Sequence, residues 1–233
     1  EVEPSGLFLL RGERSTVTFE SPHRTSVSSW LTIGAPGLAV SVGSWYYEVE
    51  LKTFRHPQVG WVDATFRFLT DEYSNDGVGD DVSGWGVDCD RNCLWHKGPL
   101  GTWRSGVAGQ TIGCAASIGI DGRTDFWFAI DGEWDEVPAF RGALPNSYLF
   151  PAASGELDAN FRFASDDMRF APPSPAFRPI AEALRHEPLA TLPAAVPSSR
   201  SVVTAATSAT AASEPTLLPL NWALLHGLYS LGG

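Results

Sequence analysis

The sequence predicts the all-β class, an antiparallel β-sandwich of two packed sheets, and three observations carry that reading. The run Ser44–Leu51 alternates: Tyr47, Val49, Leu51 and Thr53 share one face, while Tyr46, Glu48, Glu50 and Lys52 share the other. A strand with one buried face must alternate in this way. The run Thr124–Gly132 repeats the pattern, with Phe126, Phe128 and Ile130 opposite Asp125, Trp127, Ala129 and Asp131. Composition then divides the chain. Residues 1–171 hold eight of the nine Trp and 20 of the 23 Gly, whereas 172–233 hold nine of the 17 Pro and long Ala/Ser/Thr runs. Burying a large apolar side chain contributes about 1.5–3 kcal/mol, so the first part can build a core without disulfides.

The elements follow in order. Leu7–Leu10, Thr16–Phe19 and Val27–Ile33 read as opening strands bounded by Gly, Pro and Ser. Ala35-Pro-Gly37 is a turn before the Trp45 strand, Phe54–Pro57 a connection, and Gln58–Ala64 a further strand. Residues 67–83 form a polar loop rich in Asp and Gly. Strands resume at Gly84–Asp88, Cys93–His96 and Thr111–Ile120. Asp121-Gly122 and Asp131-Gly132 are tight-turn signals on either side of the Phe126 strand, because Gly reaches φ > 0 at low cost. Tyr148–Ala153 and Asp158–Phe163 close the domain, assigned to 1–171. Pro172-Pro-Ser-Pro175 breaks regular structure. A helical turn is expected within Ile180–His186, inside a Pro/Ala/Ser/Thr-rich linker over 172–215 that is mostly disordered. Residues 216–233 are apolar again and read as the start of another domain or a docking segment.

Charge narrows the partners. The formal net charge is −11, and 172–233 contribute none of it, with three Glu against three Arg. Residues 63–90 carry eight acids against Arg67 alone. Such a field repels phosphate backbones, which argues against nucleic acid. No apolar run reaches the ~20 residues of a membrane span. Three Cys and no Asn-x-Ser/Thr sequon point to a reducing, cytoplasmic setting. Because Glu1 stands in place of Met, we expect a fragment of a longer protein or a processed product.

Between the two aromatic runs lie Gln58-Val-Gly-Trp-Val62, Gly77-Val-Gly-Asp-Asp81, Ser83-Gly-Trp-Gly86, Trp95-His-Lys-Gly98 and Ile112-Gly-Cys114. That ordered set resembles the SPRY (B30.2-like) domain, over roughly residues 6–171. Val82-Ser-Gly-Trp-Gly86 departs from the family by one extra glycine. The resemblance implies a jelly-roll sandwich and a non-catalytic, monomeric module that grips a peptide or surface of a partner protein, perched in a ubiquitin-ligase or scaffold assembly. It also implies that loops at one edge make the contacts: the connection after the Trp45 strand and the loops near 89–104 and 131–137. From these we select Arg55, His56, Arg91, Lys97 and Trp134. Arg and Lys would meet carboxylates or carbonyls, and Trp134 would bury against an apolar side chain; a lid on the sandwich edge is the equal alternative for Trp134.

The same sequence holds residues for other chemistries. Glu48 and Glu50 point to one strand face with Cα atoms roughly 6.5–7 Å apart, near the ~5–5.5 Å carboxyl spacing of a retaining glycosidase. A salt-bridged sheet face is the plainer reading of the pair. Trp127 and Trp134 would form the aromatic platform of a lectin-like carbohydrate binder. The acidic loop from Asp71 lacks the ligand spacing of an EF-hand, and Gly77–Asp81 reads as a structural turn. Cys89, Cys93 and His96 have superficial zinc spacing, but a structural site needs four ligands. Nucleophile and phosphate-loop motifs are absent. No cofactor and no metal are expected.

Overall fold

The computed structural model describes residues 6–12, 14–66, 76–146 and 148–183. Its strands are β1 (Phe8–Arg11), β2 (Val17–Ser21), β3 (Arg24–Val27), β4 (Leu31–Gly34), β5 (Gly43–Asp63), β6 (Gly84–Asp88) and β7 (Cys93–Trp95). They continue as β8 (Pro99–Thr102), β9 (Thr111–Ile118), β10 (Thr124–Ile130), β11 (Glu133–Trp134), β12 (Phe140–Ala143), β13 (Leu149–Arg162) and β14 (Arg178–Pro179). The protein is the β-sandwich that the sequence predicts. Two long strands belong to both layers. The first half of β5 pairs with β9, and β9 with β10; the second half of β5 pairs with β6, then β7 and β8. Its antiparallel partner β13 pairs with β4 through its first half and with β3 through its second.

Phe54–Pro57 was expected to break β5, and 154–157 to separate two closing strands. Neither does. Ser154 pairs with Gln58 and Glu156 with Arg55, so two residues of β5 oppose the single Gly155. This is a β-bulge, which bends a strand without ending its ladder. His56 (φ 51°) and Gly155 (φ 132°) carry the bend. A Cβ on Gly155 would lie 3.1 Å from the carbonyl oxygens of both Arg55 and His56, so the corner requires glycine. The expected Val27–Ile33 strand is divided between β3 and β4, while β8, β11, β12 and β14 were not foreseen.

Bending lets β5 pack on itself. Tyr47, from its first half, meets Trp61, from its second, edge to face at 5.0 Å, and the Tyr47 hydroxyl donates to the Gly60 carbonyl. Both rings are fully buried. Trp85 of β6 stacks on Phe126 of β10 at 5.4 Å, a second bond between layers. Val49, Leu51, Val59, Val87, Ile112, Phe128 and Phe161 fill the space around them. The alternation read at Tyr47–Leu51 and Phe126–Ile130 is therefore the core face.

The opposite face is covered too. The chain runs past Ala171 as a strap packed on the sheet, rather than leaving it. Phe170 lies against Gly132, the Trp134 indole N–H donates to the Ala171 carbonyl at 2.9 Å, and Phe177 joins Tyr46, Ala115, Trp127 and Met168 in a small cluster. β14 then pairs with Trp45–Tyr46 in parallel, and Ile180 and Ala183 are buried in the main core. A 3-10 turn at Ile180–Glu182 stands where a helical turn was expected. The remainder of the expected linker, and the apolar segment 216–233, lie outside the described residues.

The strap uses up the residues of both alternative chemistries. Glu48 is buried and accepts the backbone N–H groups of Arg169 (2.9 Å) and Phe170 (2.8 Å). Glu50 is ion-paired with Arg162 (2.5 Å) and Arg169 (3.2 Å). A hydrolase dyad at Glu48 and Glu50 is thus corrected to a clasp: both carboxylates hold protein donors. Trp127 stands edge-on to Phe177, and Trp134 lies over Gly113, so the pair is no open sugar platform.

Two outcomes test this architecture. Tyr47→Phe leaves the Gly60 carbonyl without its buried donor, and should lower unfolding stability by about 1–3 kcal/mol in urea titration with an unchanged m-value. At the clasp, burial raises the Glu48 carboxyl above its ordinary value. Burial also acts on Glu50, but the Arg162 hydrogen bond and the charges of Arg162 and Arg169 outweigh it and hold that carboxyl below its ordinary value. A depressed carboxyl stabilises above its unfolded pKa and loses that contribution as pH falls through the folded value; the raised Glu48 runs the other way. Glu50→Gln should therefore be less stable than the parent at neutral pH, and the gap should close in acid below the ordinary carboxylate range.

Candidate edge-loop binding surface

The bulge at Arg55–Pro57 forms one end of the β5–β6 ladder and brings three of the selected residues together. Arg55 is well exposed and pairs with Glu156 across the bulge at 3.5 Å. His56 places Nδ1 2.8 Å from an Asp90 carboxylate oxygen, which also accepts the His56 backbone N–H at 3.2 Å. Asp90 sits in the β6–β7 turn next to Arg91. That turn is built on Asp88, whose side chain is 0% exposed and accepts from the N–H groups of Asp90 (3.0 Å) and Arg91 (2.8 Å) and from Arg91 Nε (2.5 Å). The Arg91 guanidinium then lies 3.9 Å over the Trp95 ring, a cation–π contact that fixes its direction.

The acidic glycine turn supports this surface from beneath. Asp80 accepts from Gln58 Nε2 (2.9 Å), from the Gly77 N–H (2.5 Å) and from the Trp95 indole. Asp81 accepts from Arg11 (2.9 Å) and from the Ser83 N–H (2.7 Å). Both carboxylates hold protein donors, which is the work of a structural turn. A side chain at Gly77 would collide with Gln58, Trp30 and Ser154, so the turn seats against the bulged strands only with glycine there. Residues 71–75 of the loop lie outside the described residues.

The other two selected residues stand elsewhere. Lys97 lies at the opposite end of the β5–β6 ladder, in the β7–β8 turn, with φ 57°. Trp134 is half-buried under the strap and already spends its indole donor, so it is not the exposed loop anchor expected. Sequence reasoning missed Glu156, Asp90 and Asp88, which pair with the cations. Their spacing to Arg55, His56 and Arg91 depends on the bulge, and no local motif announces it. The zinc-like spacing also resolves: Cys89 and Cys93 are buried free thiols, and His96 Nδ1 lies 2.7 Å from the Gly84 carbonyl oxygen. Burial, helped by the Asp88 charge, pushes the Cys89 thiol up to about 12.

Asp88→Ala removes the acceptor of three donors at once. We expect a loss of about 1–3 kcal/mol in stability, together with faster hydrogen exchange at the Asp90 and Arg91 amides, while Tyr47 and its neighbours keep their protection.

Comparison with known proteins agrees with the geometry. The family model of the SPRY domain matches residues 44–164, more than half of the chain. An E3 ubiquitin-protein ligase of Arabidopsis thaliana, RKP, is 31% identical over 144 residues, covering 60% of this chain and 11% of that protein. The chain spans about a tenth of that relative's length. The match over more than half of the chain settles the family: this chain belongs to the SPRY family and carries its protein-interaction module.

Proposed function

We propose that the edge formed by Arg55, His56 and Arg91 recognises a short segment of a partner protein, and that the module serves as the recognition part of a larger assembly. The observation that supports this reading most is the rigidity of the cluster. Arg55 and His56 stand on a bulge shared by both sheets, and Arg91 is aimed by a buried carboxylate and an aromatic ring. Residues fixed before binding pay little ordering cost when a partner arrives, so a small surface becomes selective. Exposed ion pairs contribute only about 0–1 kcal/mol. The Arg55–Glu156 and His56–Asp90 pairs can therefore be exchanged for a partner's carboxylates or carbonyls at little expense.

The similarity to a ubiquitin ligase supports a place in a ligase or scaffold assembly, with this module selecting what the assembly holds. A cytoplasmic setting fits its three buried thiols, which form no disulfide. Affinity capture with the full chain, read by mass spectrometry, tests the proposal against a second bait carrying Arg55→Ala, His56→Ala and Arg91→Ala. Partners retained by the first bait and lost from the second are expected. Partners retained equally by both would sink the choice of this edge while leaving the interaction module in place.

A further inference from the structure

The edge-loop surface occupies the end of the β5–β6 ladder where Gln58 pairs with Asp88. At the other end, where Val62 pairs with Gly84, lies a separate cleft of about 580 Å³. Three rings form its floor. Trp85 stacks between Phe126 and His96, at 5.4 and 4.9 Å, and Phe140 stands edge-on to His96 at 6.3 Å. The Gly84 carbonyl engages His96, so the floor is fixed before anything binds. Val82 and Leu144 project from the walls and are 51% and 63% exposed. Large aliphatic side chains left that open beside an aromatic floor mark an interaction site when a polar rim surrounds them.

The rim carries a distinctive charge. Lys97 and Arg141 line the cleft and, among the described residues, no carboxylate does, in a chain whose net charge is −11. Of the arginines whose side chains are described, Arg141 alone has neither an ion-pair partner nor an aromatic ring beneath it. Lys97 likewise lies outside every ion pair among the described residues. Its turn is tied down by Lys97 N–H to Asp81 O (3.3 Å) and Gly98 N–H to Gly79 O (3.1 Å), which fixes the backbone from which the Lys97 side chain extends.

We propose that this cleft is a second docking site, for a partner segment in which an apolar side chain is flanked by carboxylates. The apolar group covers Trp85, His96 and Phe140 between Val82 and Leu144, and the carboxylates reach Lys97 and Arg141. Charge complementarity selects this occupant: at physiological salt acids more than about 8 Å away are largely screened, so a short segment with one or two carboxylates meets chiefly Lys97 and Arg141, whereas an extended phosphate backbone would run past them onto the acidic surface. The site lies apart from the edge surface, so one module holds two segments at once.

The test pans a phage-displayed library of random short peptides on the full chain, then measures selected peptides by fluorescence anisotropy. Peptides with Asp or Glu beside Leu, Ile, Val or Phe should dominate. Their affinity should fall roughly tenfold or more with Lys97→Glu or Arg141→Glu, fall with Leu144→Ser, and weaken as salt rises. Arg55→Ala with Arg91→Ala should leave it unchanged. All substituted side chains are exposed, and circular dichroism confirms that each variant is folded. Peptides that lack carboxylates, that bind the charge-reversed variants equally, or that depend on Arg55 and Arg91 instead would overturn the second site. So would an empty selection. A concentration-dependent dimer that dissolves on Arg141→Glu would assign the cleft to a second copy of this chain and overturn it equally.

Discussion

Everything in this structure depends on a strand that turns a corner without ending. β5 begins in one layer and finishes in the other, and the Tyr47 hydroxyl on the Gly60 carbonyl holds the two halves face to face. The buried Gly60 carbonyl would otherwise be an acceptor with one bond fewer, in a place water does not reach. β13 follows the same corner from the other side, and the bulge at Gly155 keeps the two strands in register around it. The core rings, the edge cluster and the cleft are all placed by that pair of bent strands.

Carboxylates then act as internal fasteners. Asp80 and Asp81 each gather donors from distant parts of the chain, Asp88 gathers three from its own turn, and Glu48 gathers two from the strap. Part of the chain's acidity is thus structural. What remains at the surface leaves cations conspicuous wherever they stand unpaired. The molecule spends its acids on holding loops still, and rigid loops are what a recognition module needs.

The fold class was legible because period-two alternation and aromatic weight survive any detail of topology. Phe126, Phe128 and Ile130 face the core as their spacing demands, and Gly77–Asp81 is a turn because the local chemistry allows little else. The corners were not legible. Pro57 and Gly155 look like ends of strands when read along the chain, since a bulge is defined by its partner strand and not by its own sequence. The strap was hidden for a related reason: Phe177 and Ile180 stand among prolines, where apolar side chains too sparse for a core can still cap one. Between anchor and lid the sequence could not choose for Trp134, because nothing near it in sequence reveals Ala171 or Phe177. Of the edge residues, Arg55 and His56 were found through the family, and their carboxylate partners only through the fold.

The sharing of β5 and β13 has a kinetic side. Leu149 pairs with Asp63 and Arg162 with Glu48, so the central ladder joins segments far apart in the chain. Contacts of that separation must absorb the entropy of closing a long loop before they return any stability, and such topologies fold slowly. During synthesis, β5 emerges with Tyr46, Tyr47, Val49 and Trp61 exposed and waits for β13 to leave the ribosome. Until then neither layer has its shared strand paired on both sides. A chain of this design is born with an aromatic edge that stays unpaired until its last long strand is made.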